Sequence, residues 1–538
     1  MTRSGSLMRT IAAAVALAGL AASPLAAQDL RIGQDLRIGL SSEPSSMDPH
    51  YHALSPNNTV AGHIFDRLIA NNETEQLVPQ LAVSWKVLAD GITWEIKLRQ
   101  GVTWHDGSPF TADDVIYSYD RVPNVPNSPG LFSYATKGKT LKKVDDHTIH
   151  ITTGAPSPLT PNDLTAIFIV AKKFAATSTT PDFNTGKGAI GTGPFKYAEY
   201  VPGDRIVFAR NEAYWGTKPA WAKVTIKTIK AGPSRTAALL AGDVDMIDDV
   251  PTTDIERLKG DAKIDVAQVA SNRSIYFHMD QFRDDSPFVK GKDGAAIKNA
   301  LRDKRVRLAL SKAINREAIV SRVMEKAAVP ASQYLPEGYF GIVKGAKPIA
   351  FDPDGAKKLL ADAGFPNGFK LTLHGPNGRY TNDVKIIEAV AQMFTRVGIE
   401  TSVETLPPGP FFSRATQGGP GGTPEFSMVL VGWSPSTGEN SGALKPQLMT
   451  FDRDKGTGTA NRGRYSNPDF DKIVDEALKT VDDVKRAELL AKATQVAIDD
   501  TAWIPLHYQI NTWASKKGIT VTPRSDELTF AMGVTPKP

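Results

Sequence analysis

The run from Leu77 to Val122 constrains this chain most. Trp85, Trp94 and Trp104 fall in short alternating segments separated by Asp90-Gly91 and Gln100-Gly101. Two alternating runs joined at Asp-Gly predict a hairpin, because the tight turn needs a residue that tolerates positive φ. Downstream, Ser108-Pro109-Phe110-Thr111 leads into Ala112-Asp113-Asp114-Val115. Thr111 suits a helix N-cap, and the two acids favour the positive end of the helix dipole. Hairpin, turn and helix with three tryptophans make a small packed module, not an active site.

At 538 residues the chain exceeds what one core supports and divides into two to four folding units. A hydrophobic content of 41% with 22% charged residues is that of a water-soluble globular protein. The N-terminus reads as a secretion signal: Arg3 and Arg9, then apolar Ile11 to Ala22, then Leu25-Ala26-Ala27 as a cleavage site before Gln28. The apolar stretch falls short of the ~20 residues of a membrane span. A start at Met8 would give a more usual signal length. Arg3 and Arg9 are the only charges in residues 1–27, so cleavage lowers the net charge from +5 to +3. That balance, with no basic block, gives no case for nucleic acid. The chain has no cysteine, which excludes disulfides, thiol catalysis and a lipid-anchoring cysteine. A secreted chain without a lipid anchor fits the periplasm. No G-x-S-x-G, H-E-x-x-H or G-x-x-x-x-G-K-[ST] motif occurs. These absences leave open an enzyme whose residues come together from distant positions; no cofactor and no metal are expected.

Residues 28–33, QDLRIG, repeat as residues 34–39. One copy is expected as the opening strand, the second, with the first a loose tail. A helix is predicted from Ser55 with Pro56 in its first turn. Asp145-Asp146 should turn another hairpin. The second half changes to β–α alternation. Leu371–His374 reads as a strand, Asn382–Val397 as a helix closed by Gly398, and Ile399–Thr405 as a second strand. That succession implies a parallel pair with a right-handed crossover. Phe426–Val431 is a further strand, after a Gly/Pro-rich loop over 407–424.

The order Trp, D-G, L-R-Q-G-V-T-W-H-D-G and A-D-D-V closely resembles the signature of the family 5 solute-binding proteins of ABC importers, which bind peptides, nickel or oligosaccharides. Gly191-Thr192-Gly193-Pro194-Phe195, Asn211 to Trp215, Val306 to Arg316 and Tyr465 to Asp471 match further segments of that family. The resemblance implies an α/β fold of two lobes, a periplasmic binding protein of type II, cluster C, with an extra domain inserted in the first lobe. The implied division is 1–27 signal peptide; 28–70, 197–275 and 510–538 first lobe; 71–196 inserted domain; 276–509 second lobe. Ser274–Asp280 and Trp503–Ile510 are the expected crossings. The implied partners are a small-molecule or peptide ligand and ABC permease subunits with separate ATPase chains; the protein itself is expected to be a monomer.

In open α/β sheets, ligands meet loops at the carboxyl ends of strands. Three loops qualify. The first, 41–54, carries Glu43, Asp48, Tyr51 and His52. The second, 375–381, carries Arg379 and Tyr380. The third, 432–442, carries Trp433, Glu439 and Asn440. Gly432, Trp433 and Gly438 match the G-W-x-x-x-x-G-D stretch of dipeptide-binding members, whose acid holds the peptide ammonium; Glu439 stands at that acid. Arg379 is a candidate carboxylate clamp, since a guanidinium offers two parallel donors. The arginine of the dipeptide-binding pattern falls opposite Asn377, two positions earlier, so a surface role for Arg379 stays open. Tyr51, His52, Tyr276 and Asn440 complete the expected ligand set. The histidine pairs His50/His52 and His147/His150 lack the acids or thiols of a metal site. The resemblance implies a binder rather than an enzyme, with short peptides or peptide-like amines as the expected cargo; an opine, an oligosaccharide or a nickel chelate is the alternative, and an enzyme on the same scaffold is the competing class.

Overall fold

The computed structural model describes residues 34–129, 132–435 and 437–537. The signal segment, the cleavage site and the first QDLRIG copy lie outside the described residues. The second copy is the opening strand, Asp35–Leu40. Its alternate residues Leu36 and Ile38 are fully buried, as a strand facing a core requires.

One twelve-stranded mixed sheet runs through both lobes. On the first-lobe side, Asp35–Leu40 lies parallel to Lys223–Thr228 and to Met246–Ile247, and the hairpin Phe195–Val201/Arg205–Arg210 extends the edge. On the second-lobe side, Lys370–Pro376 is parallel to both Glu400–Leu406 and Met428–Trp433. Helix Asp383–Arg396 makes the expected crossover, burying Ile386, Ile387, Val390 and Phe394. The two sides have separate cores. One gathers Leu36, Ile38, Phe65, Phe195, Phe208 and Trp221; the other gathers Phe277, Leu371, Leu373, Phe394 and Leu430.

Two antiparallel strands join the sides: Ile264–Met279 going out and Ile504–Lys516 returning. Their ladder runs in register from Ile264↔Lys516 to Ala270↔Ile510 and resumes at Ser274↔Tyr508. Three residues, Ser271 to Arg273, therefore face the single Gln509. Such a bulge bends a strand and re-aims its side chains.

The tryptophan-rich module forms its own four-stranded sheet, ordered Ala82–Val87, Thr93–Leu98, Thr148–Thr153, Lys139–Asp145. Gly91 takes φ 72° in the first hairpin turn. Helix Ala112–Arg121 opens with a reciprocal cap between Thr111 and Asp114. The same Asp114 carboxylate takes the Lys172 amide at 3.0 Å, tying the helix to the next segment. Trp94 and Trp104 are buried within this module.

The Gly/Pro-rich loop expected over 407–424 contains a helix instead, Pro408–Gln417. Pro408 fits the first helical turn, where no amide partner is needed. Phe411 and Ala415, four residues apart, face the core together.

Candidate functional site

The gap between the lobes holds two adjoining cavities of about 790 and 500 Å³, within the usual size of small-ligand sites. Ser55, Arg273, Arg379 and Tyr380 line both. The larger lies toward Ser41, Asp248 and Thr252; the smaller lies between Glu75, Asn272, Phe412, Trp433 and Arg462.

Arg379 and Trp433 are where the strand-end rule put them. Asp383 holds the Arg379 loop by accepting the backbone amides of Gly378, Arg379 and Tyr380 at 3.2, 2.8 and 3.1 Å. The Tyr380 hydroxyl donates to the Gly432 carbonyl at 3.2 Å, joining this loop to the neighbouring strand end. The Arg379 guanidinium is left exposed in the cleft, 5.1 Å from the Tyr380 ring centroid, with no carboxylate partner among the described residues. Trp433 is fixed by its indole N–H, which donates to the Gly442 carbonyl at 2.9 Å.

Glu439 is placed elsewhere, and the expectation that it anchors a ligand ammonium is corrected. It is 2% exposed, inside the second lobe. Its Oε2 lies 2.7 Å from Arg486 Nη1, and its other oxygen accepts from the Ser441 hydroxyl. Gly438, at φ 64°, turns the chain so that the next residue points inward. Burial pushes the Glu439 carboxyl above its ordinary range, with Arg486 pulling it back. Its charge is met by the protein itself.

Four other expected contacts also lie outside the cleft lining. Asn440 is buried, its side-chain amide donating to the Gly341 carbonyl and the Thr494 hydroxyl, each at 2.8 Å. Tyr276 is fully buried, donating to Gln447 Oε1 at 2.7 Å. Tyr51 faces a different groove, beside Tyr117 and Arg121; neighbouring His52 contacts the Ser45 hydroxyl at 3.3 Å. Their loop is drawn there by Asp48, fully buried and gripped by Arg121 through bonds of 2.9 and 2.6 Å. Desolvation works against that charge, but Arg121 and the His50 amide hold the Asp48 carboxyl below its usual range.

Several residues facing the cleft were not singled out in the sequence. Glu75 stands at φ 61° in the turn between strands Ile69–Asn71 and Leu77–Pro79. Its Oε1 accepts from Asn272 Nδ2 at 2.7 Å, and no basic side chain forms an ion pair with it among the described residues. Burial pushes its carboxyl up to about 7, against the pull of Tyr339 and Asn272. Asn272 and Arg273 come from the strand bulge, which aims them into the gap; Asn272 Oδ1 accepts from the Ser434 hydroxyl. Arg462 and Phe412 reach the cleft from loop and helix on the second-lobe side.

Among the described residues no group of three or more His, Cys, Asp or Glu side chains is arranged to hold a metal ion. His50 is committed to the Phe168 carbonyl at 2.7 Å, and His150 lies 3.5 Å from Glu95.

Comparison with known proteins agrees with this architecture. The profile of bacterial extracellular solute-binding proteins, family 5, matches residues 76–454. The glutathione-binding protein GsiB of Pectobacterium atrosepticum is 29% identical over 515 residues, covering 95% of each chain. The dipeptide-binding protein of Escherichia coli is 28% identical over 460 residues, covering 80% of each. The structure of HbpA2 from Haemophilus parasuis superposes with a TM-score of 0.82 at 22% identity, covering 94% of this chain and 100% of the other. With its profile match spanning most of the described residues and its two lobes closing on a polar cleft, the chain belongs to family 5 of the bacterial extracellular solute-binding proteins.

Proposed function

We propose that this protein captures short peptides with free termini in the interlobe cleft and delivers them to the permease of an ABC importer. One observation carries the choice of peptide: the cleft presents a carboxylate without a cation, Glu75, and a guanidinium without an anion, Arg379. An ammonium and a carboxylate on one ligand would satisfy both. Relatives named for glutathione and for dipeptides support the same reading. The protein acts as a monomeric binder after export and signal cleavage at Ala27, and releases its ligand chemically unchanged.

Titration calorimetry with a tripeptide, its N-acetylated form and its C-terminal amide tests this. The free tripeptide should bind one-to-one and be recovered intact, with each blocked form at least tenfold weaker. Equal affinity for all three, or hydrolysis of the peptide, would rule the reading out. N-terminal sequencing of exported protein should begin at Gln28; retained Met1 or Met8 would contradict export by cleavage.

A further inference from the structure

The smaller cavity carries more positive charge than a simple zwitterion needs. Arg67, Arg273, Arg379 and Arg462 line it, against Glu75 and Asp526. Some of these charges are matched within the protein. Arg273 pairs with Glu527 at 2.9 Å, and Asp526 with Arg524 at 2.6 Å. The Arg67 guanidinium packs 3.9 Å from the Phe168 ring centroid.

Arg462 stands apart. It is half-buried, and no carboxylate pairs with it among the described residues. Its Nε is buried without a hydrogen-bond partner, and its Nη1 reaches the Ala460 carbonyl at 3.3 Å. The guanidinium lies 5.3 Å from the Phe412 ring centroid, on the same wall as Trp433. Beneath it, burial and then the Arg462 charge hold the His278 ring neutral, with its pKa lowered to about 3. A cation taken partly out of water with no partner is costly, and a ligand anion entering beside aromatic walls relieves that cost at low effective dielectric. The planar fork of donors fits a carboxylate.

We infer that Arg462, walled by Phe412 and Trp433, is a second anion subsite that selects peptides carrying an acidic group in addition to the C-terminal carboxylate. With Glu75 for the ammonium and Arg379 for the C-terminus, the preferred ligand is a short acidic peptide with one amine and two carboxylates. This assignment rests on the peptide reading above and narrows it.

The test is calorimetric titration with tripeptides of alanine in which each position in turn is Glu or Gln. Wild type should bind one Glu peptide at least tenfold more tightly than its Gln counterpart. Arg462→Gln should bring the two within twofold. Arg379→Gln should weaken both and keep the Glu preference. Equal Glu and Gln affinities in wild type at all three positions would overturn the subsite, and that comparison needs no variant to fold. A Glu preference that survives in Arg462→Gln would overturn it too. Failure of every tripeptide to bind would instead remove the peptide reading on which the subsite rests.

Discussion

Arg486 and Glu439 form an ion pair inside the second lobe, 2.7 Å between Nη1 and Oε2, with both side chains at 7% exposure or less. The pair links the loop after strand Met428–Trp433 to helix Asp483–Asp499. Its role is to hold that loop, and through it the backbone that fixes Trp433.

Removing one member of a buried pair strands the other, at about 3–5 kcal/mol. Glu439→Gln should therefore lower the melting temperature by several degrees or more. Peptides with free and acetylated N-termini should keep their wild-type ratio of affinities. Thermal unfolding and calorimetry on the same preparation check both halves. An unchanged melting temperature with a lost amine preference would return Glu439 to the role of ammonium anchor.

With Glu75 as the ammonium anchor, binding should depend on pH. Its carboxyl is raised to about 7 in the folded protein, above the ordinary value of 4.5. The unliganded folded state thus holds a proton that the unfolded chain has lost between those values. Stability from this group is present below about pH 4.5 and falls as pH rises toward 7. An ammonium ligand needs the ionised form. Affinity should then rise about tenfold per pH unit from 5.5 toward 7 and level off above it, while a peptide amine, with pKa near 8, stays charged. Tyr339, Asn272, Asp526 and Arg524 surround the group. Glu75→Gln should flatten the pH profile and raise the melting temperature at pH 8. A variant with the wild-type slope would assign the titration to another residue.

The Arg379 guanidinium is exposed, so its removal should cost binding without costing the fold. A charge-assisted hydrogen bond contributes about 1.5–3 kcal/mol, or roughly ten- to a hundredfold in affinity. Arg379→Met should weaken a free peptide by that factor and leave its C-terminal amide unchanged, with melting within a degree of wild type. Equal losses for acid and amide would mean that Arg379 shapes the loop rather than meets a carboxylate.

These residues were unevenly legible in the sequence. Trp433 is the last residue of strand Met428–Trp433 and Arg379 lies in the loop just past strand Lys370–Pro376, so the rule that ligands meet such loops finds them without knowledge of the rest. Glu439 sits in an equally plausible loop, but Gly438 reverses the chain one residue earlier, and the pairing with Arg486 is a contact across 47 positions. Glu75 lies in a polar turn, Asn72-Glu73-Thr74-Glu75, that reads as solvated. It is buried because Asn272 of the crossing strand and the second-lobe loop at Gly438 lie against it. Asn272 and Arg273 look like an ordinary part of an alternating strand; the bulge that aims them depends on register with a strand far away in sequence. Arg462 is one of several arginines in a Gly/Thr/Asn-rich stretch, and nothing local marks it as unpaired. The helix at Pro408–Gln417 was hidden by its glycines and prolines, although Phe411 and Ala415 carry its periodicity.

Contact between the lobes beside the cleft suggests how closure is limited. Gly438 of the second-lobe loop lies so near Glu75 that an added Cβ would stand 3.1 Å from both its Cβ and its carbonyl oxygen. Next to it, the Thr437 carbonyl accepts from Asn162 Nδ2 at 2.8 Å, across the same gap. The bulge at Ser271–Arg273 gives the crossing strands a place to bend, and a ligand that touches both lobes favours the closed form. Ligand addition should reduce the radius of gyration of wild type measured by small-angle scattering. Gly438→Val meets Glu75 sterically and also sits at a φ that costs a branched residue about 1–2 kcal/mol. Its radius of gyration at saturating peptide should stay near the unliganded value, and its affinity should fall at least tenfold. Asn162→Ala, which removes one cross-gap bond without adding bulk, should still close and lose no more than about tenfold. If Gly438→Val contracted on ligand as wild type does, the loop would tolerate the bulk and the Gly438–Glu75 contact would not set the closed state.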